Sequence, residues 1–257
     1  MKITLLDGIT YDVKELKEKA KDDDFYYGHL GKYAFSSSNL KLLLQSPKTY
    51  RNVLKYGNAE NQALRDGWLF HTCVLEPHVF DAQIYVDVQS KNTKKYKEAV
   101  AEHGKVFTIK EKNDAERLTD ALLRNEMVLQ KLSGAEFEVP EIGTVMDFPF
   151  RAKADILKPG EAMYDLKSTS AIQGWKYAAD KYGYDVQCYL YCELFNIKPE
   201  NMGFIIIDKG SLDIGYAEAN IDFYKRGELK VLKALSTFRD WFMEEADLDQ
   251  YYINIEL

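Results

Sequence analysis

Only three cysteines, Cys73, Cys188 and Cys192, occur among 257 residues. Three thiols cannot build a disulfide framework, and they suit a reducing compartment. Cys188 and Cys192 stand four apart on a helix candidate, but an iron–sulfur cluster normally takes four thiolates, so none is expected. All three read as small core residues. A basic excess is also missing: 34 Lys and Arg face 41 Asp and Glu, for a net charge of -7. That balance argues against nucleic-acid binding over the whole surface and leaves room for a local basic groove. No apolar run approaches the roughly 20 residues that span a bilayer, so no membrane partner is expected. The opening "MKITLLDGIT" has no signal-peptide core, because Asp7 and Gly8 interrupt it, and the expected location is cytoplasmic. No internal repeat or low-complexity linker divides the chain.

What is present is a globular composition, 46% hydrophobic and 29% charged. It predicts one elaborated domain over 1–257. Residues 1–32 form an N-terminal extension, with a short strand in "KITLLDG" and a charged helix in "DVKELKEKAKDDD". Residues 33–135 read as helical. "FSSSNLKLLLQSPKTYRNVL" is a capped helix with Ser37 or Ser38 at its start, and Ser46-Pro47 opens another turn. "ALRDGWLFHTCVLEP" is an apolar helix that carries His71 and stops before Pro77. The main basic cluster, Lys91, Lys94, Lys95 and Lys97, falls in residues 88–103, and a charged helix runs from Glu111 to Leu132. Residues 136–220 alternate strand-like runs with Pro, Gly and Asp turns, which predicts an antiparallel meander. A helix over 174–195, the apolar strand "GFIIIDKG" and the strand "DIGYAEANI" follow. Residues 221–257 hold a final amphipathic helix and tail. The order predicts an α/β fold, with a central mixed sheet flanked by helices.

Chemistry concentrates in "FRAKADILKPGEAMYDLKST". Asp155 closes one strand, Lys158-Pro159-Gly160 turns, and Asp165 and Lys167 lie on the next strand. Alternation puts Asp165 and Lys167 on one face and Leu166 on the other. A hairpin brings the strands about 5 Å apart, so both aspartates can converge on one hard divalent cation. A lysine beside them orients or deprotonates a bound water, or stabilises phosphate charge. Taken alone, D-x-K on a strand is more often a plain ion pair. His71 is either a satisfied core residue or a ligand. Glu136 is either surface charge or a further carboxylate. Gln187 and Tyr191, four apart on one helix face, either pack or hold a substrate strand or the lysine.

The ordered set His71, Glu136, Asp155, Asp165-x-Lys167, Gln187-x-x-x-Tyr191 resembles the PD-(D/E)xK nuclease superfamily, in its RecB-like branch. More narrowly it is similar to the C-terminal nuclease family of RecE (exonuclease VIII). "FSSSNLKLLLQSPKTY" resembles that family's S-x-L…SP-x-x-Y segment, and "GWLFHTCVLEP" its G-x-x-x-H-x-x-x-L-E-P segment. "FRAKADIL…YDLKSTS" resembles its R-x-R-x-D…D-x-K-T-T core, and "YGYDVQCYLY" its Y-x-x-Q-x-x-x-Y helix. The likeness spans roughly residues 33 to 210. Lys153 replaces the second arginine, Ala154 the proline before the aspartate, and Ser168-Thr169 the threonine pair. None of these departures removes a metal ligand or the lysine.

The resemblance implies a PD-(D/E)xK core with an N-terminal helical elaboration, and one or two Mg²⁺ or Mn²⁺ ions per subunit. Asp155, Asp165 and the Leu166 carbonyl would be ligands, His71 would complete the shell, and Glu136 would assist a second ion. Lys167 would position or activate water. Gln187 and Tyr191 would contact DNA or support the ligands. The lysines at 91, 94, 95 and 97, read from their clustering alone, are either a DNA-binding patch or a solvated helix face, whereas by the resemblance Arg151 and Lys153 would reach phosphates. It further implies a 5′-to-3′ exonuclease on duplex ends, a trimer or tetramer ring, and a single-strand annealing recombinase as partner. An endonuclease on the same core and an inactive DNA-binding or assembly module are the alternatives.

Overall fold

The structure is a computed structural model and describes residues 1–254 apart from 58, 60 and 245. The predicted tail therefore ends in three residues outside the described ones. The helix α1, Ser37–Gln45, is capped by Ser36, one position earlier than expected. Its hydroxyl accepts the Asn39 amide, while the Asn39 side chain accepts the Ser36 amide at 2.9 Å. This reciprocal cap satisfies donors that the first helical turn leaves free. Ser46 caps the next helix, with Pro47 in its first turn. The apolar helix α2 spans Gln62–Leu75, and Pro77 starts a separate short helix. The expected helix from Glu111 to Leu132 is two. The first, α3, covers Ile109–Leu123, and Asn125 caps a second over Glu126–Leu132.

Five strands then form one sheet: β1 Glu136–Val145, β2 Phe148–Lys158, β3 Ala162–Thr169, β4 Met202–Asp208 and β5 Ile214–Glu218. They lie in sequence order, and every neighbouring pair is antiparallel except β3 and β4. The parallel pair needs a crossover, which helix α4, Tyr184–Phe195, supplies. The expected helix over 174–195 breaks at Gly183. Its φ of +62° is left-handed, a region open to a residue without a Cβ. The last long helix, α5, spans Ile221–Phe238.

The sheet is covered on both faces, so β4 is buried from end to end and reads as an unbroken apolar run. On one face Phe70 of α2 and Leu118 and Leu122 of α3 pack on Ile156, Leu166, Ile205 and Ile207. On the other, Cys188 and Cys192 of α4 pack on Met163, Phe204 and Ile206. These two cysteines are core residues, as expected, whereas Cys73 is half-buried. Helix α5 backs α4 at close range: a Cβ on Gly227 would meet the Asp185 carbonyl at 2.0 Å. Leu166 is fully buried, so β3 is anchored by its apolar face and turns Asp165 and Lys167 toward α4.

Candidate active site

Asp155 is the residue at which β2 releases both neighbours. The β2–β3 ladder pairs Lys158 with Ala162, Leu157 with Met163 and Ile156 with Tyr164, then ends. The next step would pair Asp155 with Asp165, and there the strands fork. Asp155 Oδ2 accepts the Leu166 amide that the ended ladder leaves free, at 2.8 Å. On the other side, β1 pairs with β2 through Phe137–Ile156 and again through Val139–Ala154. Glu138 between them has a φ of +51° and makes no bridge. Two interrupted ladders thus leave two carboxylates side by side.

His71 reaches this fork from α2, with Nδ1 3.3 Å from Asp155 Oδ2. One ligand atom from each of His71, Glu138 and Asp155 lies within 4.8 Å of the others. That spread suits donors around a hard cation at 2.0–2.6 Å. Burial, with Asp165 next, pushes the Asp155 carboxyl above the usual range, while His71 and Lys167 pull it down. Burial and the neighbouring Asp155 push Glu138 up to about 8. Carboxylates that resist charging side by side are what a divalent cation would relieve.

Asp165 stands outside that triad. Its carboxylate is 2% exposed and turned to α4, where Gln187 Nε2 donates to Oδ1 at 2.5 Å. Lys167 Nζ forms an ion pair with Oδ2, but off the line of a hydrogen bond, so Oδ2 has no aligned donor. Burial opposes the lysine's charge, yet Asp165 and Asp155 outweigh it and push Lys167 up to about 12. In this state the residue is an ammonium, a donor rather than a base. Tyr191 donates to the Lys153 carbonyl at 3.0 Å, bracing β2 just ahead of Asp155. Of the two roles open to Gln187 and Tyr191, the contacts seen are the supporting one.

Several expected positions lie elsewhere. Glu136 is exposed at the start of β1, and the carboxylate at the fork is Glu138. Simple alternation puts both glutamates on one face, and the left-handed turn of backbone at Glu138 separates them. Leu166, by contrast, sits at the fork, where its amide N–H donates to Asp155 Oδ2. The Arg151 guanidinium lies 4.6 Å over the Tyr26 ring, while Lys153 pairs with Asp23 and sits over Tyr26 and Tyr27. Both basic residues are thus occupied by the N-terminal segment rather than presented in an open groove.

The lysine cluster divides as well. Lys91 Nζ donates to Glu111 Oε1 at 2.7 Å and to Gln62 Oε1 at 2.8 Å, beside the buried Arg65–Glu111 pair. Burial opposes the charge on Glu111, but donors from Arg65, Lys91 and Gln62 win and hold it at about 2. Lys94 pairs with Glu98, Lys95 donates to the Asp87 carbonyl, and Lys97 is exposed. Lys91→Ala should therefore cost about 1 kcal/mol in urea unfolding, given its partial exposure, and leave DNA affinity within about twofold. A large affinity loss with unchanged stability would refute this assignment.

The fork joins an aspartate on one strand to D-x-K on the next, at the point where a mixed sheet opens. Residues 36–238 match the model of a family described as a PDDEXK-like domain of unknown function (DUF3799). The chain belongs to this family. The matched span holds the whole sheet and, within it, Asp155, Asp165 and Lys167. The chain is also similar in structure to a protein from Eubacterium rectale named as a candidate exonuclease. The TM-score is 0.66 at 17% identity, covering 92% of this chain and 95% of that one, which shows a shared fold. A phage related exonuclease from Haemophilus somnus 129PT aligns at 14% identity with a TM-score of 0.34, over 63% of this chain and 92% of its own. No curated protein matches the chain. No helix among the described residues is long and apolar enough to cross a membrane.

Proposed function

We propose that the chain is a metal-dependent DNA nuclease that works as an exonuclease on linear duplex ends. The observation that carries this reading is the His71–Glu138–Asp155 triad beside the Asp165–Lys167–Gln187 set. Triad and Asp165 together supply hard oxygen donors and one imidazole, a set that fits Mg²⁺ or Mn²⁺. His71, Glu138 and Asp155 would hold the ion, with Asp165 and the Leu166 carbonyl as the further ligands that the sequence resemblance implies. Bound there, a divalent cation supplies Lewis-acid polarisation of a phosphoryl oxygen.

The chain's own residues do the rest. The Leu166 amide fixes the Asp155 carboxylate, and Gln187 fixes Asp165. Lys167, held charged by two aspartates, donates to the attacking water or to the phosphate and offsets charge as the phosphorane-like state forms. The finer reading is a processive 5′-to-3′ enzyme that leaves 3′ single strands for a single-strand annealing recombinase, in the cytoplasm. It is supported by the ordered motifs shared with the RecE-like family. A trimer or tetramer ring would reconcile DNA binding with a net charge of -7, because its channel can be basic while the outside is acidic.

The test is digestion with Mg²⁺ or Mn²⁺ of linear duplex, labelled separately at each 5′ and 3′ end, alongside covalently closed plasmid. Loss of linear DNA from the 5′ ends, with closed circles untouched, is the expected result. Nicking of the closed circle would instead make the chain an endonuclease.

A further inference from the structure

A second cation approaches the Asp165–Lys167 pair from a different element. Lys41 lies in the middle of α1, and its ammonium is 5.3 Å from the centroid of the Tyr184 ring. Lys167 Nζ is 5.1 Å from the same centroid. Trp175 and Phe204 stack on that ring at 5.3 and 5.7 Å, so Tyr184 is a fixed platform that both lysines approach. Gly183 leaves room for the Lys41 stem, since a Cβ there would come within 3.3 Å of Lys41 Cγ. The break between the two helices therefore has a use: it seats this lysine beside the catalytic strand.

The two ammoniums differ in their countercharge. Lys167 has Asp165. Among the described residues, Lys41 has no carboxylate within ion-pair distance and no hydrogen-bond acceptor. Burial, then the charge on Lys167, lowers its pKa to about 8, and Asp165 and Asp185 offset this only in part. A half-buried ammonium without a countercharge is destabilising, and an anion arriving beside it removes the penalty. The anion that the proposed substrate brings to this place is a phosphodiester, for which lysine serves as a point-charge ligand.

We propose that Lys41 is a phosphate-binding residue that holds a backbone phosphate of DNA next to the scissile one, beside the Tyr184 ring that Lys167 also approaches. The inference rests on the nuclease reading above and adds to it a substrate contact from α1. Such a contact reads charge and spacing rather than base identity, so it serves every sequence alike. It also gives α1 a reason to lie against the start of α4.

The experiment measures affinity for a labelled linear duplex across a salt series, with Ca²⁺ in place of Mg²⁺, for wild type, Lys41→Gln, Lys41→Met and Lys41→Arg. Loss of one phosphate contact should weaken binding about tenfold at low salt and make the log–log salt slope shallower by about 0.9. Lys41→Met, which keeps most of the stem, should behave like Lys41→Gln, and Lys41→Arg should stay near wild type. Mn²⁺ affinity by calorimetry, without DNA, should be the same in all four proteins. An unchanged slope and affinity in Lys41→Gln and Lys41→Met overturns the proposal. A tenfold loss of Mn²⁺ affinity also overturns it, because Lys41 would then act through the metal site. If wild type itself neither binds nor degrades duplex, the nuclease reading fails first, and this inference falls with it.

Discussion

Lys167→Met and Asp165→Asn should each lower DNA cleavage by at least about 10³-fold, and each should also destabilise the fold. Lys167→Met strands the Asp165 carboxylate, 2% exposed, with Gln187 as its remaining hydrogen-bond donor. Breaking a buried pair from one side costs about 3 kcal/mol or more, because the partner charge stays behind. Asp165→Asn strands Lys167 in turn: its Oδ1 still accepts from Gln187, but its amide NH₂ then faces the Lys167 ammonium. The double variant removes both charges and should recover most of the stability lost in Lys167→Met, while staying inactive. Urea unfolding of all three variants, with a parallel digestion assay, tests the pair. Measurable cleavage by either single variant would sink the assignment. Additive stability losses in the double variant would show that the two side chains do not act as a pair.

Most of the architecture follows from local sequence chemistry. Leu166 between Asp165 and Lys167 predicts a strand with one core face, and Leu166 is fully buried. The apolar run from Met202 to Asp208 predicts a strand covered on both faces, and β4 is one. Gln187 and Tyr191 share a helix face because they are four apart, and that face does meet β2 and β3. Three features escape such reading, each for a physical reason. Periodicity does not register a single left-handed residue such as Glu138, whose backbone breaks alternation within a continuous register. Charge counts do not tell an exposed lysine from one bound to a buried glutamate, as Lys91 is. Sequence separation hides contacts such as Lys153 with Asp23 or Lys41 with Tyr184, which exist only once distant elements pack. Helical spacing likewise runs through Gly183 and does not register the break there or its consequence for Lys41.

Glu138 separates the structure's reading of the site from the one that alternation suggests. Glu138→Gln should lower Mn²⁺ affinity at least about tenfold and cleavage at least about 10²-fold, whereas Glu136→Gln should leave both within about twofold. The same glutamate gives the metal-free protein a distinctive pH response. Its folded carboxyl titrates at about 8 against an ordinary value near 4.5, chiefly because it is buried. Between those values the folded state holds a proton that the unfolded state has released. Stability from this group is therefore lost as pH rises through that window, by on the order of 2 kcal/mol after allowance for solvent access. Metal-free wild type should melt at a lower temperature at pH 8.5 than at pH 6. Saturating Mn²⁺ should reduce or reverse that difference, because the charged carboxylate then has a cation to hold. In Glu138→Gln the group cannot titrate, so the metal-free difference should shrink and Mn²⁺ should do little. Melting curves at the two pH values, with and without Mn²⁺, decide the matter together with the calorimetric affinities. If Glu136→Gln rather than Glu138→Gln loses metal and activity, the ligand at the fork has been assigned to the wrong residue.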